Sequence, residues 1–406
     1  MHINNRCKIA FLTSHPIQYQ APLFKKLSEY QGVDLFVYFS WNFGINEPTF
    51  DSEFGKKIKW DIPLLKGYKY KFLKNLSLKS SSDFWGQINF DIIKELRQNK
   101  YDAILIFGWN SFTNWLAFFT AFIFKIPVLL RSENPFNQEL LKSKWKIKIK
   151  KLVLGWLFKR ISAFLYIGEE NKKFYKFYGT PEEKLIFVPY AVDNERFIKA
   201  AQDLRFKIKD LRRELNIGEK DITILFVGKL IEKKRPMDLL RAYEKLKNLS
   251  ASWRTEKLKN IALFFVGDGI LRPELENYAK EHNLKNIHFV GFKNQTELSQ
   301  YYIMADIFVL PSGTGETWGL AVNEAMCFGL PIIISDMVGC GSDLIKNEEN
   351  GCIFPTGNVE KLAQCLEKLI KNSAKRTAFG KKSFEIIENY NYDKDIEGIL
   401  KAINHN

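Results

Sequence analysis

The sequence lacks several features that would place it quickly in a known class of protein. Its longest apolar run, residues 115–130, is interrupted by Lys125 and Pro127. It therefore falls short of the roughly 20 residues of a membrane-spanning helix, and a buried helix followed by a buried strand is expected instead. No signal peptide is visible at the amino terminus. The five cysteines form no CxxC pair, which is typical of reduced thiols in a cytoplasmic protein.

Motifs for common cofactors and for nucleic acids are missing as well. No GxGxxG follows the first predicted strand of either half, which disfavours a Rossmann dehydrogenase. The basic residues are not interleaved with a recognised RNA- or DNA-binding motif, which disfavours a nucleic-acid binder. Asp51 and Glu53 do not form a metal-binding DxD motif. We therefore expect no cofactor and no obligatory metal ion.

Length and patterning predict two α/β domains. A chain of 406 residues exceeds one ordinary core, and its 46% of apolar residues suffice for two. Near-continuous apolar strands alternate with helical segments, as in parallel sheets covered on both faces. We predict a Rossmann-like domain over 1–192, a second over 193–388, and a terminal helix in 389–406 that packs back on the first. The two domains are expected to face each other across a deep cleft.

Positive charge is concentrated in the first half of the chain. The net charge is +15, and residues 1–190 contain 29 basic against 16 acidic residues. Residues 142–160 alone carry eight bases and no acid. As a helix, this segment would align a stripe of four apolar residues: Trp145, Ile149, Leu152 and Trp156. Two interpretations remain open: the stripe binds an anionic membrane surface, or it packs against its own domain.

The second half places chemical groups directly after three predicted strands. Residues 225–236 contain a glycine followed by clustered lysines, residues 264–275 contain two glycines around an aspartate, and residues 310–325 lead into a helix. Lysines, glycines and a helix N-terminus together predict an anion site suited to a diphosphate. Glu316 and Glu324 suit the hydroxyl groups of sugars on either side of it. The combination predicts a ligand made of phosphates and sugars.

The same stretches carry a resemblance to a known family. "VGKLIEKKRP", "VGDGILRPELE", "GF" at 291–292, "YYIMADIFVLPS" and "GETWGLAVNEAMCFGLPII" resemble the nucleotide-binding domain of retaining, GT-B-fold glycosyltransferases of family 4. Glu316 and Glu324 reproduce that family's E-x7-E signature. The resemblance covers most of residues 220–370, and "HPIQYQAPLF" in the first half looks like a branch of the same family.

The resemblance implies a role for individual residues. Lys229 and Lys234 would bind the diphosphate, Glu324 the ribose, and Glu316 the transferred sugar. Gly291 and Phe292 would border the base. Lys229 is a departure, since many members have arginine there. The implied donor-binding set is Gly228, Lys229, Lys234, Gly267, Gly291, Phe292, Glu316, Thr317, Trp318, Gly319, Leu320 and Glu324.

Residues of the first half are candidates for the acceptor. The loop after the first strand has His15 and Gln18 where the family usually has glycines. Arg131 and Glu133 stand at a strand end where many relatives place a histidine, and Trp109 ends another strand on the same side. Capping and turn roles remain an alternative for Arg131 and Glu133. The predicted catalytic set is His15, Lys229, Lys234 and Glu316, and the predicted acceptor set is His15, Gln18, Trp109, Arg131 and Glu133.

The resemblance implies a retaining glycosyltransferase that moves a hexose-type sugar from a nucleotide-diphosphate donor to a glycan or glycolipid. Its setting would be the assembly of surface polysaccharide or lipopolysaccharide, in the cytoplasm or peripherally at the inner membrane face. A non-catalytic homologue that binds sugar nucleotides or glycans is the alternative. The sequence does not distinguish UDP from GDP donors.

Overall fold

The computed structural model describes residues 6–45, 49–51, 54–250 and 261–404 and divides into two compact units. The first unit contains residues 1–49, 58–193 and 392–406, and the second contains 50–57 and 194–391. The chain thus changes unit between Asp193 and Asn194. The short segment 50–57 belongs to the second unit, which the sequence did not predict.

Fifteen strands are found in the described part of the chain. In chain order they are β1 (Cys7–Thr13), β2 (Val33–Phe39), β3 (Thr49–Asp51), β4 (Lys56–Ile58), β5 (Lys69–Phe72), β6 (Ala103–Phe107), β7 (Val128–Arg131), β8 (Ala163–Tyr166), β9 (Leu185–Phe187), β10 (Ile222–Val227), β11 (Ile261–Val266), β12 (Ile287–Gly291), β13 (Ile307–Leu310), β14 (Ile332–Ser335) and β15 (Gly351–Phe354).

Sixteen α-helices are found in the same ranges. They are α1 (Ala21–Ser28), α2 (Asp91–Asn99), α3 (Phe112–Ile123), α4 (Phe136–Glu139), α5 (Lys144–Phe158), α6 (Glu169–Phe177), α7 (Asn194–Leu204), α8 (Ile208–Glu214), α9 (Pro236–Ser250), α10 (Arg272–Glu281), α11 (Gln295–Met304), α12 (Leu320–Cys327), α13 (Gly341–Leu344), α14 (Val359–Lys371), α15 (Ser373–Ile387) and α16 (Tyr392–Asn404). Short 3-10 turns add Phe84–Gly86, Glu182–Lys184, Arg205–Lys207 and Glu232–Lys234.

The first unit is built on a seven-stranded parallel sheet with the order β5-β2-β1-β6-β7-β8-β9. Because both faces are covered by helices, its central strands β1, β6 and β7 are mostly apolar. Leu12 of β1 belongs to one core cluster with Phe118 of α3, and Phe11 belongs to the opposite cluster with Phe24 of α1 and Ile399 of α16. The sheet therefore separates two cores.

The second unit has a six-stranded parallel sheet with the order β12-β11-β10-β13-β14-β15. The order reverses between β10 and β13, so the connections from these two neighbouring strands leave toward opposite sides of the sheet. Such a switch point opens a crevice at the carboxyl ends of the strands, where ligands of α/β proteins bind. The loops after β10 and β13 are the two that the sequence singled out for lysines and glutamates.

Helix α16 ends the described chain and belongs to the first unit. Its buried face joins the core cluster beneath β1. The Tyr392 hydroxyl donates a hydrogen bond of 2.7 Å to the Tyr19 carbonyl oxygen, and Asp395 forms a buried ion pair with Arg131. The final helix is thus held by both apolar and polar contacts.

The apolar stripe of α5 points outward. Trp145 is 62% exposed and Leu152 is 77% exposed, while the opposite side of the helix buries Leu154, Leu157 and Phe158. Trp156, at the end of the stripe, is 39% exposed and contacts the rings of Phe119 and Phe122 in α3. The stripe therefore packs against its own unit only at this end, and membrane binding stays a prediction. In the same residues, no helix combines the length and the apolar character needed to cross a membrane.

Candidate functional site

The loops that follow β10 and β13 touch at the switch point of the second unit. The Gly313 N–H donates a hydrogen bond of 2.8 Å to the Lys233 carbonyl oxygen. A Cβ atom added to Gly315 would lie 2.9 Å from Cδ of Lys233. The backbone of one loop therefore rests directly on the other, and the side chains of both loops share one location.

Lys234 and Glu316 form the polar centre of this location. The Lys234 ammonium contacts a carboxylate oxygen of Glu316, and the Ser312 hydroxyl donates to the same oxygen at 2.9 Å. Glu316 is buried, and only 16% of the Lys234 side chain is exposed. An ammonium group and a carboxylate are thus held side by side at the switch point.

The turn after β10 is fixed by the loop after β11. The Gly228 N–H donates to the Val266 carbonyl at 3.0 Å, and the Leu230 N–H donates to the Asp268 carbonyl at 2.9 Å. A Cβ atom at Gly267 would lie only 1.9 Å from the Gly228 carbonyl oxygen. Only glycine fits at position 267, so its first role is to let two strand-end loops pack together.

Lys229 lies in the same turn with a different acidic partner. Its ammonium is 3.0 and 3.2 Å from the two carboxylate oxygens of Asp51 and 4.7 Å from the centre of the Phe54 ring. Asp51 comes from the segment 50–57, which clusters with this unit. Lys229, which is predicted to bind the diphosphate, is thus already paired with a carboxylate.

Asp268, at the tip of the loop after β11, pairs with Lys56 at 2.7 Å. Burial alone would raise the pKa of Asp268, but hydrogen bonds from the Lys56 ammonium and the Gly269 N–H lower it below its ordinary value. In the next loop, the Gly291 carbonyl accepts a hydrogen bond from the Gly267 N–H at 2.9 Å. Gly291 and Phe292, predicted to border the base, therefore lie beside the β10 and β11 loops.

Glu324 lies in α12, one turn beyond the helix start. Its carboxylate accepts a hydrogen bond of 2.7 Å from the Tyr302 hydroxyl. Burial raises the pKa of Glu324, and the hydrogen bond from Tyr302 together with the charge of Arg196 only partly offsets this effect. A carboxylate with few charged neighbours is suited to accept hydrogen bonds from hydroxyl groups.

Residues 317–320 form the turn into α12. The Gly319 backbone has a φ of 97°, a conformation that favours glycine. The Trp318 indole N–H donates to the Asn323 side chain at 2.8 Å, and the Trp318 carbonyl accepts from the Cys340 N–H at 3.0 Å. Half-buried Thr317 and Leu320 flank this fixed turn. The amides of the first helical turn thereby gain a defined direction.

His15 and Gln18 lie in the first unit, in the loop after β1, and both are half-buried. The His15 ring contacts the rings of Trp41 and Phe43, and its Nδ1 lies 2.9 Å from the Ser14 hydroxyl. Burial lowers the pKa of His15 to about 4. Its imidazole is therefore neutral at pH 7.

Arg131 and Glu133 are occupied by partners within the first unit. Both Arg131 and Asp395 are only 2% exposed, and the guanidinium contacts the two carboxylate oxygens of Asp395 at 3.1 and 3.0 Å. Glu133 accepts a hydrogen bond of 2.5 Å from the Tyr190 hydroxyl. Arg131 cannot reach a ligand without breaking its buried pair, which favours a structural role. The acceptor role of Glu133 stays a prediction.

Trp109 follows β6, next to β1 in the sheet of the first unit. Its ring stacks on Phe174 at 5.9 Å, and its carbonyl accepts a hydrogen bond from the Trp115 indole at 3.0 Å. Trp109 is therefore partly buried against the core of its own unit. A role in acceptor binding would fall to the exposed remainder of the ring.

The described ranges contain no group of three or more His, Cys, Asp or Glu side chains that could hold a metal ion. Asp51 pairs with Lys229, while Glu53 lies outside the described residues. The expected independence from metal ions stays a prediction.

Sequence reasoning missed three polar residues of the site. Ser312 and Tyr302 bind the two glutamates, and Asp51 binds Lys229. Ser312 directly follows a predicted strand, which is a usable signal because strand ends form the site. Nothing in the sequence near Asp51 points to Lys229, which lies 178 positions away.

Comparison with known proteins identifies part of the chain. Residues 207–385 match the family model described as "Glycosyl transferases group 1". Two similar curated proteins are sulfoquinovosyl transferase SQD2 of Arabidopsis thaliana and the amylovoran biosynthesis glycosyltransferase AmsK of Erwinia amylovora. SQD2 is 30% identical over 203 residues, which are 50% of this chain and 36% of SQD2. AmsK is 29% identical over 202 residues, which are 48% and 44% of the two chains. The chain thus spans less than half the length of either relative.

The whole chain has a counterpart among solved structures. HepE of Anabaena, crystallised in complex with UDP, aligns with a TM-score of 0.73 over 98% of this chain and 99% of HepE, at 16% identity. The likeness extends over both units and is a likeness of fold. It confirms the predicted GT-B fold. Family 4 membership and a retaining reaction stay predictions.

Proposed function

We propose that the protein is a retaining glycosyltransferase of family 4 that transfers a hexose-type sugar from a nucleotide-diphosphate donor to a glycan or glycolipid. The observation that carries the proposal is the contact between Lys234 and Glu316 at the switch point of the second unit. A diphosphate and the sugar attached to it are adjacent in such a donor, and this pair presents an adjacent cation and carboxylate. UDP in the crystal structure of HepE, a protein of the same fold, is consistent with this donor class.

The residues of the second unit would act mainly through electrostatics. As the bond between the sugar and the diphosphate breaks, negative charge grows on the leaving nucleotide. Lys229, Lys234 and the amides at the start of α12 would stabilise that charge where it develops. Without a metal ion, these groups would supply all of this stabilisation. Glu316 would orient the sugar, and Glu324 would bind the ribose hydroxyls.

Retention needs no nucleophile from the protein if the acceptor attacks from the face that the diphosphate leaves. The acceptor hydroxyl forms the new bond to the anomeric carbon, and its proton passes to a departing phosphate oxygen. Double displacement through a carboxylate is the competing route. The configuration of the product, read by NMR, tests retention, and trapping of a covalent glycosyl-enzyme would favour the second route.

The proposed setting is surface-polysaccharide or lipopolysaccharide assembly in the cytoplasm, at the inner face of a membrane. AmsK, which is similar to this chain over 48% of its length, is described as an amylovoran biosynthesis glycosyltransferase. The outward stripe of α5 and its lysines would bind an anionic membrane surface, where a lipid-linked acceptor is located. This surface consists of the apolar residues Trp145, Ile149, Leu152 and Trp156 with the flanking basic residues of 142–160.

Thermal shifts with UDP, GDP and ADP, each free and as a sugar nucleotide, test the donor site. We expect one of the nucleotides to raise the melting temperature of the wild type, and Glu324→Ala and Lys234→Ala to lose most of that increase. Lys245→Ala is a suitable control, because Lys245 is half-exposed in a surface pair with Glu360. Equal shifts in the wild type and in both site variants would contradict the assignment.

A further inference from the structure

The segment 50–57 contacts three of the loops that form the proposed donor site. It carries residues 50–51 of β3 and 56–57 of β4, and these two strands pair in a two-stranded sheet, called the hairpin below. Although it precedes the rest of the second unit by about 140 positions in the chain, its contacts place it in that unit. The loops it contacts follow β10, β11 and β12 and carry Lys229, Asp268 and Phe292, so this segment can influence the proposed donor site.

Two ion pairs join the described residues of the hairpin to the loops after β10 and β11, with the acid on the hairpin in one pair and the base on it in the other. Asp51 binds Lys229 after β10 at 3.0 Å, and Lys56 binds Asp268 after β11 at 2.7 Å. In the first pair the exposed fractions of the two side chains are similar, 21% for Asp51 and 23% for Lys229. The first pair is therefore partly shielded from solvent, whereas Lys56 in the second pair is 37% exposed.

The aromatic contacts lead to the third loop. Phe54 meets Phe292 edge to face, with 5.2 Å between the ring centres. The ammonium of Lys229 lies over Phe54, and that of Lys56 lies 5.5 Å from the centre of Phe292. The hairpin thus reaches both the lysine proposed to bind the diphosphate and the ring proposed to border the base.

We infer that Asp51 competes with the donor diphosphate for Lys229, so that the hairpin sets the affinity for the donor. The inference rests on the proposed function of this site. A carboxylate oxygen and a phosphate oxygen accept the same hydrogen bonds from an ammonium group. A diphosphate bound to Lys229 would bring its negative charge next to the Asp51 carboxylate, and like charges at this distance repel. Donor binding therefore exchanges Asp51 for a phosphate oxygen.

If Asp51 instead orients Lys229 for the donor, Asp51→Asn should weaken nucleotide binding, whereas competition predicts tighter binding. Isothermal titration of UDP and of GDP into the wild type and into Asp51→Asn measures the dissociation constants. Competition predicts that Asp51→Asn binds the nucleotide roughly two- to fivefold more tightly, from the usual strength of such pairs. Weaker or unchanged binding in Asp51→Asn overturns the inference.

A double-mutant cycle tests whether the effect passes through Lys229. The effect of Asp51→Asn should vanish in a Lys229→Ala background, because the contested cation is gone. Glu360→Gln removes the same charge from an exposed pair on α14 and should leave the affinity unchanged. A similar gain in Glu360→Gln, or a persisting gain without Lys229, would show a general charge effect and overturn the inference.

The same titrations separate this inference from the proposed function. If the wild type binds a nucleotide and Lys234→Ala abolishes binding while Asp51→Asn changes nothing, the donor site stands and the role of Asp51 is wrong. The titrations are repeated with ADP, and if neither the wild type nor Asp51→Asn binds any of UDP, GDP and ADP, both proposals are wrong. Binding that appears only in Asp51→Asn would support both.

Discussion

At the residue scale, the charged groups of the proposed donor site neutralise one another in pairs. Lys234 pairs with Glu316, and Lys229 pairs with Asp51. Each ammonium is thereby held in place, and little net charge is buried before a ligand arrives. Replacing one member of a pair consequently changes the behaviour of the other. Variants must be interpreted with that coupling in mind.

Glu316→Gln should separate sugar transfer from nucleotide binding. The variant loses the charged acceptor for the sugar hydroxyls, and a hydrogen bond to a charged group contributes about 1.5–3 kcal/mol. We therefore expect kcat/KM for transfer to fall at least about tenfold. Because Lys234 remains available for the diphosphate, the affinity for the nucleoside diphosphate should be retained or improved.

Steady-state kinetics with the sugar nucleotide, together with titration of the free nucleotide, measure these two quantities. Glu385→Gln is the matched control, since Glu385 is half-exposed on α15 and pairs only loosely with Lys382 at 3.4 Å. Wild-type transfer by Glu316→Gln would remove Glu316 from the catalytic set.

His15 should make stability depend on pH in a defined direction. Its pKa is about 4 in the folded protein against an ordinary value of 6.5, because burial disfavours the charged form. The unfolded chain binds the proton more readily, so this contribution is complete above pH 6.5 and is lost as the pH falls toward 4. From pH 7 to pH 5, the free energy of unfolding of the wild type should fall by on the order of 1–2 kcal/mol because of His15. This part of the decrease should be absent in His15→Gln.

The free energy of unfolding at pH 7 and at pH 5, measured by denaturant titration for both proteins, checks the sign. His282→Gln is the control, because His282 lies on the exposed end of α10. An equal decrease in wild type and His15→Gln would mean that His15 is not buried as a neutral ring.

At the element scale, α5 illustrates how far a sequence pattern reaches. The spacing of Trp145, Ile149, Leu152 and Trp156 predicts one stripe, and the structure has this stripe on one exposed side. The pattern did not reveal which way the stripe points, because periodicity defines a face and not its neighbour. Lys150 departs from the other lysines: it turns inward to Glu139 at 2.9 Å, and burial lowers its pKa to about 8.

Binding to lipid vesicles should depend on both parts of the α5 surface. Replacing Lys144, Lys146 and Lys148 by glutamine should weaken co-sedimentation with anionic vesicles at least tenfold, since each lysine near such a surface contributes about 1 kcal/mol. Trp145→Ser with Leu152→Ser should weaken it as well, by removing the apolar contact.

Neutral phosphatidylcholine vesicles and Phe206→Ser are the controls for this experiment. Phe206 is 90% exposed but lies in the second unit, away from α5 along the chain. Equal binding of the wild type to neutral and anionic vesicles, or no effect of the lysine changes, would contradict an electrostatic membrane contact.

At the scale of the whole molecule, the sequence predicted the local elements and the fold class, because apolar strands and helices have recognisable periods. Glu316 and Glu324 could be chosen as candidates because strand ends and helix starts place side chains at a predictable edge of the sheet. Their roles stay predictions. Asp51 and Asp395 were not found as partners. They pair across 178 and 264 positions, and no local pattern encodes such a contact.

The pair of Arg131 and Asp395 should be essential to the stability of the first unit. Because both side chains are almost completely buried, removal of one leaves the other charge without compensation, at a cost of about 3–5 kcal/mol. We expect Asp395→Ala to lower the melting temperature measured by calorimetry. Asp393→Ala is the matched control. Asp393 lies on the exposed side of α16, the helix that also carries Asp395, and pairs with Lys26 of α1.

The double variant Arg131→Met with Asp395→Leu separates two explanations of that loss. If the cost arises from an uncompensated buried charge, replacing both partners by apolar side chains should restore most of the stability. If Arg131 also binds the acceptor, the restored protein should bind nucleotide normally but fail to transfer sugar. Normal transfer by the stable double variant would assign Arg131 to holding α16 against its sheet and would remove it from the acceptor site.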